Sequence, residues 1–566
     1  MKHSHKPIGQ EQITMARGIL QKYRAGKAAL EQRLIANEQW YKLRHWDYLR
    51  RRAPGQGVEP VSGWLFNAIC AKHADAMDNF PAPLLLPRQA EDRELAQRLS
   101  AILPVILEQD DFEQTYSDVA DDKLRSGTGI YGVFWDSEKA GGRGDVAIRC
   151  IDPINLFWEP GVSDLQKSRN VFLVELVDRD LLRERYPFLT DISEGGELSR
   201  YIYDETVDTS HKAAVVDWYY KLRGKDGKTR LHYCKFTGET LLYASENDPY
   251  FQARGWYDHG QYPFVADTLY RVKGSICGFG FIDIGRSAQE YIDRGNQAIL
   301  ENLLVSATPR HFIRNDGSIN EEEYLDLRRP LIHVDSGLGQ DSILPVQSSP
   351  LSETYLQVVN NKVDELKEVT GNRDISTGGT ATGVTAAAAI AAMQEAGSKL
   401  SRDLNKAAYR AFRKVILLVL GLLRQFYSRP RCFRAGGAGE FLSWGGPEMQ
   451  STLFDVQVSA RKAPAYSRLS SNELALQFFA AGFFDPARAE QALGCLQLMD
   501  FEGKALAEAY IEAHRGQASA GGSLKGASAE ALLGLKHSAA LGAAEKRESS
   551  VTRKARERVA GSTEPR

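Results

Sequence analysis

No proline occurs between Pro350 and Pro430. Proline breaks a helix interior by removing a backbone donor and clashing with the preceding turn, so a window this long without one is open to unusually long helices. Two helix-forming stretches fill it, residues 351–370 and 384–427. Between them runs Gly371-Asn372-Arg373-Asp374-Ile375-Ser376-Thr377-Gly378-Gly379-Thr380-Ala381-Thr382-Gly383. At 1.5 Å per residue the second helix would span roughly 60–65 Å, about twice the width of a small domain. Such a helix cannot bury its surface inside one compact core. The expectation is an architectural protein, whose long helix runs through a large assembly or packs against copies of itself.

The 566 residues allow several domains. The 43% hydrophobic and 25% charged content is that of a globular protein. A formal net charge of −2 excludes a basic nucleic-acid binder by composition; a contact with DNA would be made without tight phosphate neutralisation. The six cysteines (Cys70, Cys150, Cys234, Cys277, Cys432, Cys495) form no CxxC pair. That argues against a disulfide framework and a zinc site and suits a reducing cytoplasm. The start, Met1 to Lys6, leads into a charged helix and lacks an apolar signal region. The longest apolar run, 415–423, is closed by Arg413-Lys414 and Arg424. It falls short of the roughly 20 residues of a membrane span and reads as a buried helix face, so no membrane contact is expected.

Along the chain, residues 10–52 read as one charged helix carrying Trp40 and Trp46, and 64–78 as a second. Pro81, Pro83 and Pro87 make 80–87 an extended edge. Helices resume over 92–125, with a kink expected near Pro104. The period then switches to two: 130–135, 145–151, 171–177, 213–221 and 231–236 read as strands, with hairpin turns at 141–144 and 224–227. Residues 283–306 form a helix with an apolar stripe of Ala288, Tyr291, Ile292, Ile299, Leu303 and Leu304. Its charged residues Asp283, Arg286, Glu290, Asp293, Arg294 and Glu301 are expected to face elsewhere. Leu356, Val359, Val363 and Leu366 stripe the next helix at the spacing of helices packed side by side. After the long helix come a strand at 453–459 and helices at 472–481 and 486–514. From residue 516 the composition collapses to Ala, Gly, Ser and charge, nine Lys/Arg against five Asp/Glu, which reads as a disordered tail.

The motifs of chemistry are missing or misplaced. Gly127-Thr128-Gly129-Ile130-Tyr131-Gly132 matches GxGxxG. A dinucleotide site, however, needs strand, turn, then helix, and here a helix precedes and a strand follows. The glycines are expected to permit a tight helix-to-strand turn. No GxxxxGK[ST], HExxH or GxSxG occurs, and no spacing singles out a catalytic carboxylate pair. No catalytic residue, cofactor or metal is expected.

An ordered series of segments resembles the portal proteins of tailed bacteriophages. The first is the amino-terminal helix with Trp40-Tyr41 and Trp46, followed by Leu65-Phe66-Asn67-Ala68-Ile69 and Pro81-Ala82-Pro83. Next comes the strand at 145–151 running into Asp152-Pro153-Ile154-Asn155-Leu156-Phe157-Trp158-Glu159-Pro160. Gly278-Phe279-Gly280 then leads to Gln289-Glu290, Asn296 and Pro309. Last, Thr380-Ala381-Thr382-Gly383-Val384-Thr385-Ala386 opens the long helix through Ser401-Arg402-Asp403.

The resemblance implies an α+β, multidomain, mainly helical ring subunit, non-enzymatic, assembled as a dodecamer at one capsid vertex. Double-stranded DNA would pass through its axial channel during packaging and ejection. Residues 1–280 would be wing, with a β-rich lobe at about 127–240; 281–306 and 351–371 would be paired stem helices; 307–350 would be the clip; 372–383 the tunnel loop. Residues 384–465 would be the long wing helix and its β return, 466–515 a crown, and 516–566 the tail. Arg373, Ser376, Thr377, Gly378, Gly379, Thr380, Thr382 and Gly383 would face DNA in the tunnel loop. Asp283, Arg286, Glu290, Asp293, Arg294, Glu301, Lys362, Glu365 and Lys367 would line the stem. Arg314, Glu321, Glu322, Arg328 and Arg329 would dock partners at the clip. The implied partners are the terminase large subunit, neck or adaptor proteins, and the major capsid and scaffolding proteins; the implied location is the virion, with assembly in the host cytoplasm.

Each stem helix carries four acids against two bases, a balance that would repel phosphates and keep a duplex centred. Lys399, Arg402, Lys406 and Arg410 make a basic stripe, read as salt-bridging a neighbouring copy rather than touching DNA. Gly397 and Gly421 are candidate bends. The competing expectations are a neck adaptor, which the chain length disfavours, and an enzyme, which the empty motif search disfavours.

Overall fold

Period-two segments cannot satisfy their own backbone groups, and in a computed structural model of the protein they pair into antiparallel sheets. The structure describes residues 7–52, 57–189, 208–224, 227–307, 311–313, 322, 343–345, 353–371, 399–435, 440–445, 452–460, 477–485, 488–497, 507–508 and 510–511. They fall into two units, within residues 1–462 and 463–566.

The first unit opens with α1 (Gln10–Tyr41) and α2 (His45–Arg52). The single helix expected over 10–52 is broken by Leu43, which takes a left-handed φ of 58°. After α3 (Trp64–Asp78) comes β1 (Pro81–Pro87), then α4 (Arg93–Gln109) and α5 (Phe112–Ser126). Pro104 lies inside α4 and does not end it. The break falls instead at Asp110-Asp111. Asp111 adopts φ 53°, a conformation aspartate tolerates better than most residues. Asp110 turns its carboxylate to the Ile148 amide at 2.6 Å and to Lys139.

At the end of α5 the expected helix-to-strand turn is present. Gly127 caps the helix at φ 87°, and a Cβ on Gly129 would sit 2.2 Å from the Val119 carbonyl. The strands that follow are β2 (Thr128–Asp136), β3 (Asp145–Cys150), β4 (Leu156–Trp158), β5 (Asn170–Asp178), β6 (Lys212–Arg223), β7 (Thr229–Thr237), β8 (Thr240–Ala244) and β9 (Phe264–Thr268), with α6 (Arg179–Arg185) after β5. One sheet has the order β3-β2-β9 and another β4-β5-β6-β7-β8. The amino-terminal half of α1 lays Ile13, Ala16, Leu20 and Tyr23 on the five-stranded sheet, against Phe172, Val216, Trp218 and Phe236. The buried Lys27 ammonium is held there by the Ile154 and Leu156 carbonyls at 2.9 and 2.8 Å and by that of Pro153.

Next come α7 (Phe281–Ala307), β10 (His311–Ile313) paired with β11 (Ile343–Pro345), and α8 (Glu353–Thr370). The long helix is described as α9 (Lys399–Phe426), 28 residues or about 42 Å; residues 384–398, Gly397 among them, lie outside the described residues. Its apolar run is a buried face, as the sequence suggested. Phe412, Val415, Ile416, Val419, Leu422 and Leu423 fill the largest core, shared with α4, α5 and the three-stranded sheet. At Gly421 a Cβ would meet the His259 ring at 2.9 Å, so this glycine seats a neighbouring loop. The hairpin β12 (Arg431–Ala435) and β13 (Glu440–Trp444) follows, and β14 (Phe454–Ala460) returns to pair with β1. Among the described residues no helix is long and apolar enough to cross a membrane.

The second unit packs Phe478 and Ile511 with Ala489, Ala492 and Leu496 of α10 (Ala489–Gln497). Of the helices expected over 472–481 and 486–514 only these parts are described, and the tail from 516 lies outside the described residues.

Candidate functional site

The expected stem corresponds to α7 and α8, which pack side by side. Gly295 makes the approach close: a Cβ there would lie 2.6 Å from Val359 Cγ2. The apolar stripes divide along their length. Ala288, Ile292 and Leu366 are buried at a joint with Trp40, Trp46, Leu49, Leu65 and Phe281. Farther out, Leu303 is 60% exposed, Leu304 53%, Tyr355 51% and Leu356 53%; Tyr291, beside the joint, turns outward and is 58% exposed. A lone subunit therefore leaves a band of large apolar side chains in water.

The stem charges do not share one environment. Asp293, expected on the stem surface, has no exposed surface in the subunit. Its Oδ2 lies 2.6 Å from His45 Nδ1. Its Oδ1 accepts from Ser62 N and Oγ at 3.1 and 2.9 Å and from Gln289 Nε2 at 3.1 Å. His45 is equally buried, and its Nε2 faces the Trp40 carbonyl at 3.0 Å. A carboxylate cannot be buried this deeply unpaired, so Asp293 pins α2 and the approach to α3 onto α7. Asp283 also turns inward, accepting from Asn37 Nδ2 at 3.1 Å and from the Gly280 amide at 2.9 Å. Sequence reasoning missed this network. Its available signal was the spacing of Gln289 and Asp293, one turn apart and flanking Ile292 on the apolar face.

The other stem charges are at least partly in solvent. Arg286 lies over the Tyr48 ring, Glu290 pairs with Arg294 at 3.0 Å, and Glu301 accepts from Gln297 at 3.0 Å. Lys362 pairs with Glu365 at 2.6 Å and lies over Tyr291; Lys367 lies over Trp64.

Two buried lysines hold the carboxyl end of α8, where the expected tunnel loop begins, and the first turns of the described part of α9. α8 ends at Gly371, φ 65°, whose carbonyl accepts from Lys72 Nζ at 3.4 Å. Lys123 Nζ reaches Asp267 at 2.9 Å and the Leu404 carbonyl of α9 at 3.4 Å. Arg373, Ser376, Thr377, Gly378, Gly379, Thr380, Thr382 and Gly383 themselves lie outside the described residues. So do Arg314, Glu321, Arg328 and Arg329 of the expected clip, whereas Glu322 is exposed. On α9, Arg402, Lys406 and Arg410 are exposed, joined by Arg413 and Lys414.

Among the described residues no cluster of His, Cys, Asp or Glu could hold a metal ion. The strongly shifted groups lie away from the stem surface and follow burial. It pushes the Asp122 carboxyl up to about 7, beside the Cys150 thiol at 3.3 Å, and drives the Lys27 ammonium down to about 8.

The chain matches the family model of the phage P22-like portal protein over residues 74–520. No curated protein matches it.

Proposed function

The chain belongs to the phage P22-like portal protein family, and on that premise we propose that it forms a dodecameric ring at one capsid vertex through which double-stranded DNA passes during packaging and ejection. The observation that carries the ring is the exposed apolar band on α7 and α8. Tyr291, Leu303, Leu304, Tyr355 and Leu356 lie open on a lone subunit, and a circle of stems would bury them against the next copy.

The conduit holds DNA weakly by charge. With Asp283 and Asp293 turned inward, the stem pair presents Glu290, Glu301, Glu353, Asp364, Glu365 and Glu368 against Arg286, Arg294, Lys362 and Lys367. Six acids against four bases leave a net −2 per copy, half the −4 obtained by counting every stem charge. Repeated around a ring, that charge repels phosphates instead of releasing counterions to bind them. Motion of the duplex is driven by an ATPase in a partner, the terminase large subunit. It docks at the clip, residues 307–350, which neck or adaptor proteins later occupy. The segment 372–383 is the tunnel loop, and residues 466–515 are the crown. Capsid and scaffolding proteins surround the ring, which assembles in the host cytoplasm.

Native mass and negative-stain imaging of the full-length protein test the reading. A closed ring with an axial hole of roughly 20 Å or more, wide enough for B-form DNA, is expected. A stable monomer or dimer at micromolar concentration would overturn it.

A further inference from the structure

A groove of about 470 Å³ opens between the end of α3, β1 and the α4–α5 corner. Phe80, Pro81, Pro83, Leu107 and Phe112 give it an apolar floor. Its charged side chains are Asp78, Glu108, Asp111 and Glu113, and no basic residue lines it. All four are exposed, and among the described residues none forms an ion pair. Pro81, Pro83 and Pro104 bring no amide hydrogen. A groove of this composition matches a long side chain with an apolar stem and a cationic head.

The same unit displays such side chains. Lys406, Arg410, Arg413 and Lys414 are exposed along one face of α9, at helical spacing. Among the described residues none of the four forms an ion pair, and none lines the groove. Tyr409, on the same helix, donates to the Asn79 carbonyl at 3.0 Å, so the stripe and the groove lie on adjoining elements. Two different complementary patches on one chain give a head-to-tail contact, the kind that closes into a ring.

We propose that this groove receives the basic stripe of α9 from the next copy. The Lys and Arg stems lie on the phenylalanine and proline floor while their head groups reach the rim carboxylates. The inference rests on the ring reading and assigns one of its contacts.

The test uses the full-length protein, with native mass and imaging over a concentration series. Three variants are compared: Glu108→Lys with Glu113→Lys, Lys406→Glu with Arg410→Glu, and all four together. Thermal unfolding of each monomer checks that it folds; Asp78→Lys replaces Glu113→Lys if the start of α5 suffers. Each reversed pair is expected to raise the concentration needed for rings by ~10-fold or more, and the combined chain to recover most of that loss. Raising ionic strength should weaken the wild-type assembly more than that of either reversed pair. The proposal is overturned if the reversed chains assemble as wild type does, or if the combined chain folds but recovers nothing. It is also overturned if the stripe variant keeps its rings but loses DNA retention, which would assign the stripe to DNA. Wild-type protein that forms no ring would defeat the ring reading itself.

Discussion

A carboxyl group with no exposed surface needs polar partners on every side, and Asp293 has them in His45, the Ser62 amide and hydroxyl, and Gln289. Removing it strands those partners. Asp293→Ala is expected to lower stability by ~3–5 kcal/mol, read as a shift in denaturant midpoint. A charge-neutral replacement at the exposed Glu290–Arg294 pair should change it by less than ~1 kcal/mol. Lys27 predicts a pH effect. Burial lowers its ammonium from 10.5 to about 8, so the folded chain holds that proton less tightly than the unfolded one. The cost of burying the charge is fully present below about pH 8 and is relieved as pH rises toward 10.5. Wild-type stability should therefore gain on that of Lys27→Met across this window, and parallel pH profiles would refute the assignment. Neither environment was legible in the sequence. A lone Asp or Lys on a helix reads as solvent-facing, and only the fold brings the Ser62 hydroxyl or the Ile154 carbonyl to it.

The elements were easier to read than their joints. Runs of β-branched and aromatic residues located β5, β6 and β7, whose central residues are buried on both faces, one of them under α1. The strands β4 and β8 went unseen because three and five residues carry too little periodicity. The breaks at Leu43 and Asp111 were missed for a different reason. Each is a left-handed residue that is not glycine, fixed by tertiary contacts on either side, while the conspicuous Pro104 rides inside its helix. The side-by-side packing of α7 and α8 was readable from the stripe at Leu356, Val359, Val363 and Leu366, but the sharing of that stripe between a buried joint and an open band was not. Gly295 sets the helix spacing. Gly295→Val would push Val359 aside, cost ~1–3 kcal/mol and disturb ring formation, measured by thermal unfolding and particle mass.

At the scale of the whole molecule, the open apolar band makes the subunit incomplete by itself. Deleting 376–382 should leave ring assembly intact, since the end of α8 that precedes the loop is held independently by Lys72, and should change DNA packaging or retention. Packaging at wild-type levels would remove the tunnel-loop assignment. One further consequence lies in time. The strand β1 finds its only ladder partner among the described residues in β14, and Arg88 pairs with Asp455, 367 residues later. The core under β2 likewise waits for Phe412 and Val419. Contacts this distant in sequence close late. In a nascent subunit the β1 edge therefore stays unpaired until residue 460 has been synthesised. The order of translation thus sets the order of closure, with the amino-terminal edge sealed by one of the last strands to be made.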